Sequence, residues 1–215
     1  MERLADPERE LALSYARRPA RDHLRALWLV DEKFGGIVAG TTDPTIGEMR
    51  LLWWREALTT AANEDRAEPL LEHVKGVLAE SGGEWGAMAE GWHALLQEPL
   101  GDAELDRFAN ERGSRLFRLS AQLLTDDVPP WIEAQGRGWA LTDLAYRISD
   151  PGISDLARSK ARDVLAGAES RRWARPLRAL GALAVLADRD ARASERSQGA
   201  PSRVARMAWH RLTGR

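Results

Sequence analysis

The chain has 215 residues, of which 44% are hydrophobic and 30% are charged, and this length suffices for one domain with a substantial core. It contains no cysteine, which excludes disulfide bonds and thiolate metal sites. No apolar run approaches the roughly 18 residues of a membrane-spanning helix. The acidic, polar N-terminal residues differ from a secretory signal. We therefore expect a cytoplasmic protein.

Charge is unevenly distributed along the chain. Residues 1–155 carry 17 basic and 28 acidic residues, a net charge of −11, whereas residues 156–215 carry 14 basic and 5 acidic residues, a net charge of +9. A basic C-terminal quarter is suited to anionic lipid, to nucleic acid or to the acidic part of the same chain. Because its arginines are scattered among alanines and leucines, we expect no nucleic-acid partner. Peripheral contact with the inner membrane stays an alternative.

The residue pattern predicts helices along nearly the whole chain. Ala, Leu, Arg and Glu dominate, and β-branched residues never alternate as they do in strands. Stretches rich in Gly, Pro and Asp separate the predicted helices. These helices span residues 7–17, 20–39, 44–62, 68–80, 84–97, 103–125, 130–149, 154–168, 174–192 and 201–213. We predict one helical domain over residues 1–192, followed by a linker and a short basic helix at 193–215.

The second predicted helix places a carboxylate within an apolar stripe. Residues spaced by three and four form one face of this helix, namely Leu24, Leu27, Trp28, Asp31, Gly35 and Val38. A buried carboxylate needs a partner, so we expect Asp31 to be buried and paired with Arg50 or Arg147. Gly35 and Gly36 each cost about 1 kcal/mol relative to alanine inside a helix. That cost indicates close approach of another helix or of a ligand.

The seventh predicted helix carries a second carboxylate on one face. Asp143 and Arg147 are four residues apart, in the favourable orientation for an ion pair. The four histidines lie on different predicted helices and do not form an i,i+4 pair, so a zinc site is not expected. The sequence contains no phosphate-binding loop, catalytic triad pattern or nucleotide fingerprint.

Three stretches resemble the squalene/phytoene synthase family, the head-to-head trans-prenyl synthases. The most specific is residues 25–58, RALWLVDEKFGGIVAGTTDPTIGEMRLLWWREAL, and the others are FANERGSRLFRLSAQLL at 108–124 and GRGWALTDLAYR at 136–147. The resemblance implies an all-α, single-domain helical bundle of the isoprenoid (terpenoid) synthase type. It also implies the candidate pocket residues Asp31, Gly35, Arg50, Trp53, Gly113, Asp143 and Arg147.

The chain departs from this family at the metal-binding positions. The first-motif carboxylates of the family fall on Gly35, Gly36, Ala39 and Gly40. In the second motif the aspartate falls on Arg147, and Asp143 takes the position of an asparagine. Active members hold Mg²⁺ with these carboxylates, and glycine supplies no oxygen ligand of that kind. The resemblance is therefore to the aspartate-poor branch, which includes relatives of a mitochondrial complex I assembly factor, and we expect no catalytic residue, metal or cofactor.

Three functions remain open from the sequence. The first is a non-catalytic protein that binds an isoprenoid or lipid, or a partner during respiratory-complex assembly. The second is an active prenyltransferase that condenses prenyl diphosphates, either with Mg²⁺ or with Arg50, Arg55 and Arg147 binding the diphosphate directly. The third is a helical scaffold unrelated to isoprenoids.

Overall fold

The computed structural model describes residues 2–60, 68–78, 82–168 and 172–215, and within these ranges all regular secondary structure is helical. The first half comprises α1 (Pro7–Leu13), α2 (Arg18–Ala39), α3 (Pro44–Thr60), α4 (Pro69–Leu78), α5 (Gly82–Ala87), α6 (Ala89–Ala94) and α7 (Asp102–Phe108). A π-helix (Ala109–Ser114) leads into α8 (Arg115–Leu124), α9 (Ile132–Ala145), α10 (Pro151–Gly167), a 3₁₀ turn (Arg175–Leu177), α11 (Arg178–Asp190) and α12 (Pro201–Thr213). The predicted all-α, single-domain bundle is confirmed.

Most predicted helices are confirmed, with two exceptions in the middle of the chain. The helix predicted at 84–97 is two short helices, α5 and α6, which are separated at Met88. The helix predicted at 103–125 is continuous but contains the π-helix. Local residue propensities do not indicate the wider turn of a π-helix. The ends predicted at 62 and 80 lie outside the described residues.

Asp150 and Pro151 begin α10. Pro151 occupies the first turn, where its missing N–H costs nothing, and the Asp150 carboxylate accepts a hydrogen bond from the N–H of Ile153 at 3.0 Å. Asp6 caps α1 in the same way, accepting from the N–H groups of Glu8 and Arg9. The Asp6 cap positions residues of the charged region described below, and the Asp150 cap fixes the start of α10.

The long helix α2 runs through the centre of the core. The first four residues of its predicted stripe are buried, whereas Gly35 and Val38 are half-buried. It packs against α3, α4, α6 and α8. Burial of each large apolar side chain contributes about 1.5–3 kcal/mol relative to exposure. Among the helices of the described residues, none combines the length and apolarity that crossing a bilayer requires.

Two glycines bring the π-helix against α9. A Cβ atom added at Gly113 would lie 2.5 Å from the carbonyl oxygen of Gly136 and 2.8 Å from the Cβ of Ala140. The backbones can approach this closely only because both positions lack side chains. Gly113, predicted to line a pocket, therefore serves this helix contact.

The terminal helix α12 packs on α11 and joins the N-terminal part of the fold. Buried Arg203 pairs with Glu8 of α1 and with Asp190 of α11. The N–H of Trp173 donates to the carbonyl of Gly214 at 2.8 Å, which fixes the end of the chain. The short basic helix predicted after the linker is thus packed against the bundle.

Candidate functional site

Asp31 lies in the middle of α2 and is completely buried, as predicted. Its partners are different from those predicted. Arg9 of α1 donates from Nη1 to Oδ2 at 3.1 Å, and Trp92 of α6 donates from Nε1 to Oδ1 at 2.9 Å. Arg112 of the π-helix donates from Nε to Oδ1 at 2.9 Å and from Nη2 to Oδ2 at 3.1 Å. The expectation that Arg50 pairs with Asp31 is wrong, because Arg50 lines a separate groove on α3.

Arg112 connects the two carboxylates that the sequence singled out. Besides its two bonds to Asp31, its Nη2 donates to Oδ2 of Asp143 at 3.2 Å. The guanidinium carbon lies 4.2 Å from the ring centre of Trp92 and 4.7 Å from that of Trp139, within range of cation–π attraction. A planar guanidinium suits such a position because it can bind a carboxylate with two nitrogens and stack on rings at the same time.

Asp143 on α9 is buried among arginines. Arg147 donates from Nε to Oδ1 at 2.9 Å, which confirms the predicted i,i+4 pair. Arg196, from the segment before α12, donates from Nη1 to the same oxygen at 3.1 Å. With Arg112 on the other oxygen, three guanidiniums contact one carboxylate.

Both carboxylates are ionised despite their burial. Burial raises the pKa of Asp31, but the positive charges of Arg112 and Arg9 outweigh it and lower the pKa below its ordinary value. The pKa of Asp143 is likewise held far below its ordinary range, because three neighbouring arginines outweigh burial. Each carboxylate therefore carries its charge at neutral pH.

The two aspartates belong to a larger network of charges. Among the described residues, ion pairs connect five guanidiniums and six carboxylates, namely Arg9, Arg112, Arg147, Arg196 and Arg203 with Asp6, Glu8, Asp31, Glu32, Asp143 and Asp190. The formal charge of this network is −1. Sequence reasoning missed Arg9, Arg112, Arg196 and Arg203. Most of their partners are far away along the chain, and among these four arginines only Arg112 lies in a stretch that resembles the synthase family.

The carboxylates do not fit a Mg²⁺ ion. Both oxygens of Asp31 accept from guanidinium groups, and both oxygens of Asp143 do so as well. A cation would have to displace arginines that cannot lose their own charge. Among the described residues, no three carboxylate or histidine side chains are grouped to hold a metal.

A cavity of about 760 Å³ lies beside this network, between α2, α6, α7 and α9. Arg9, Asp31, Arg112 and Arg147 border its charged end. The predicted close approach at Gly35 is made by the ring of Trp92, 2.9 Å from an added Cβ, whereas nothing lies within 4 Å of a Cβ at Gly36. Gly36 therefore leaves the cavity open.

The remaining candidates line a groove of about 800 Å³ along α3. Arg50 and Trp53 border this groove, which shares Glu32 and Gly36 with the cavity. Arg55 lies in another pocket and pairs with Glu90. The three arginines predicted as a metal-free diphosphate site, Arg50, Arg55 and Arg147, thus border three different cavities and do not converge.

No protein-family model, no curated protein and no solved structure matches the chain.

Proposed function

We propose that the chain is a non-catalytic binding protein that holds a neutral, elongated isoprenoid or lipid in the cavity beside the charged network. The observation that carries this proposal is a buried donor. Nη1 of Arg112 has no hydrogen-bond acceptor among the described residues, although Arg112 is only 2% exposed and borders the cavity. Nε of Arg9, which borders the same end of the cavity, is a second such donor, and a ligand oxygen would reach either after a small shift of the surrounding side chains.

The size and lining of the cavity support an apolar ligand. Its volume of about 760 Å³ lies within the roughly 300–1,000 Å³ typical of small-molecule sites. Its apolar wall is formed by Val38, Ala39, Leu95, Phe108, Leu144 and Ile148. The groove along α3 adds apolar surface from Ile37, Met49 and Trp53 for a longer tail.

The charge of the network favours a neutral ligand over a prenyl diphosphate. A diphosphate carries several negative charges, and its departure requires groups that neutralise the charge that develops. Here every guanidinium of the network is already paired, and the network as a whole has one more carboxylate than guanidinium. From this charge we expect the cavity to bind a neutral ligand and not to condense prenyl diphosphates. The alternative of an active prenyltransferase receives no support from these contacts.

A second candidate function is the assembly of a respiratory complex through protein contact, and a row of exposed side chains favours it. Ile46, Met49 and Leu52 on α3 are 47%, 66% and 54% exposed. An apolar row of this kind is suited to a partner surface. Leu52→Glu should release such a partner, while a ligand in the cavity and the groove stays bound, because Leu52 borders neither of them.

The first test is to extract bound lipids from the purified protein and to identify them by mass spectrometry. Farnesol should compete with that ligand better than farnesyl diphosphate does. Incubation with farnesyl diphosphate and Mg²⁺ should release no pyrophosphate above background. If pyrophosphate is released and Asp31→Ala abolishes the release, the chain instead has a catalytically active synthase site.

A pair of glycine variants tests the location. Gly36→Leu places a side chain in the open cavity and should abolish farnesol binding without destabilising the fold. Gly83→Leu is the matched control, because a Cβ at Gly83 also has nothing within 4 Å but lies on α5, away from the cavity. Equal farnesol binding by the two variants would contradict the proposed site.

A further inference from the structure

The terminal helix α12 has an apolar face that points away from the bundle. Its inner face carries Arg203, Met207 and His210, all buried. On the other side, Trp209 is 58% exposed and Leu212 is 74% exposed. Val204 is 40% exposed as well, and three large apolar side chains kept in solvent on one helix mark a surface for interaction.

The outer face has an ordered arrangement of apolar and basic residues. At 100° per residue, Ala205, Trp209 and Leu212 form a strip opposite the buried face. The exposed side chains of Arg206 and Arg211 lie on opposite sides of this strip. An apolar strip flanked by arginines is the pattern of a helix that lies in a membrane surface.

Further arginines surround the C-terminal end of α12. Arg172 donates from Nε to the carbonyl of Thr213 at 2.8 Å, and Arg178 donates from Nη1 to the carbonyl of Arg211 at 2.7 Å. Burial, and then the nearby charges of Arg172 and Arg175, lower the pKa of Arg178. The sequence has no acidic residue after Glu195. This end of the molecule is therefore strongly positive.

We propose that the outer face of α12 binds the surface of an anionic lipid bilayer, with Trp209 and Leu212 at the level of the headgroups and the arginines on lipid phosphates. Indole rings favour this interface, and each arginine near an anionic surface strengthens binding about 5-fold. Nucleic acid would use the arginines but has no need of an exposed Leu212. The proposal is independent of the ligand in the cavity.

The test is co-sedimentation of the full chain with vesicles of phosphatidylcholine alone or mixed with phosphatidylglycerol. The protein should sediment with the mixed vesicles and far less with the neutral ones. The double variants Arg206→Glu/Arg211→Glu and Trp209→Ala/Leu212→Ala should each weaken binding at least about 10-fold. All four side chains are exposed, and the contact that Arg211 makes with the bundle is with the ring of Tyr15, 4.9 Å from its centre, so the melting temperature should change little.

Two control variants test whether vesicle binding depends on the outer face of α12. Arg192→Glu alters an exposed arginine outside α12 and should bind vesicles almost as the wild type does. Gly36→Leu should also bind normally, since the cavity is not involved. Absence of binding to the mixed vesicles would overturn the proposal. So would unchanged binding of the Trp209→Ala/Leu212→Ala variant, or tighter binding to single-stranded DNA than to vesicles at the same salt concentration.

Discussion

Replacement of Arg112 by methionine tests whether one guanidinium holds the two buried aspartates together. The change keeps an unbranched side chain of similar length and removes three hydrogen bonds, two to Asp31 and one to Asp143. Loss of one partner from a buried ion pair costs about 3–5 kcal/mol, because the other charge stays buried. Asp31 keeps Arg9, and Asp143 keeps Arg147, so we expect a loss at the lower end, about 3 kcal/mol.

The measurement is urea unfolding followed by tryptophan fluorescence. Arg192→Met is the control, because Arg192 and Asp188 form an exposed i,i+4 pair and its loss should cost below about 1 kcal/mol. The double variant Arg112→Met/Asp31→Asn should lose less free energy of unfolding than the two single variants lose in sum, by at least about 1 kcal/mol. Additive effects, or a cost for Arg112→Met no greater than the control, would refute the bridging role.

Two further pairs of variants test packing and acid stability. Gly113→Ala should cost about 1–3 kcal/mol in urea unfolding, because its Cβ meets the carbonyl of Gly136. Gly36→Ala, with open space, should be neutral or stabilising, and equal losses would contradict this packing. Burial lowers the pKa of His210 to about 4, whereas the unfolded chain titrates near 6.5. Stability should therefore fall by roughly 3 kcal/mol as the pH drops from 6.5 to 4. His210→Met should weaken this dependence of stability on pH, whereas His23→Met, at an exposed site, should leave it unchanged. The reverse result would contradict the role of His210.

Local patterns in the sequence predicted the parts of the fold that depend on local chemistry. The terminal helix was predicted at its observed bounds, because a proline begins it and a glycine follows it. The apolar stripe of α2 predicted the burial of Asp31, and the spacing of Asp143 and Arg147 predicted their pair. In each case the evidence lay within a few helical turns.

The partners of Asp31 could not be predicted in this way. Arg9 is 22 residues away along the chain and Arg112 is 81 residues away, so no periodicity relates them to the aspartate. Arg112 also lies in the π-helix, whose extra residue per turn changes the direction in which its side chain points. A regular helix over residues 103–125, as predicted, would not point Arg112 in this direction. Long-range charge pairing is set by packing, which the sequence pattern alone does not specify.

The charged network explains how the chain can bury two ionised carboxylates. Arg112 and its neighbours supply permanent positive charge beside both of them, since guanidinium groups stay protonated in proteins. The bonds of the network also join α1, α2, the π-helix, α9, α11 and α12. Under the proposed binding function, arginines that hold six elements together stay with their carboxylates when a ligand binds. Nη1 of Arg112 and Nε of Arg9 keep unpaired N–H groups at the charged end of the cavity, and under the proposed function these donors orient a neutral ligand.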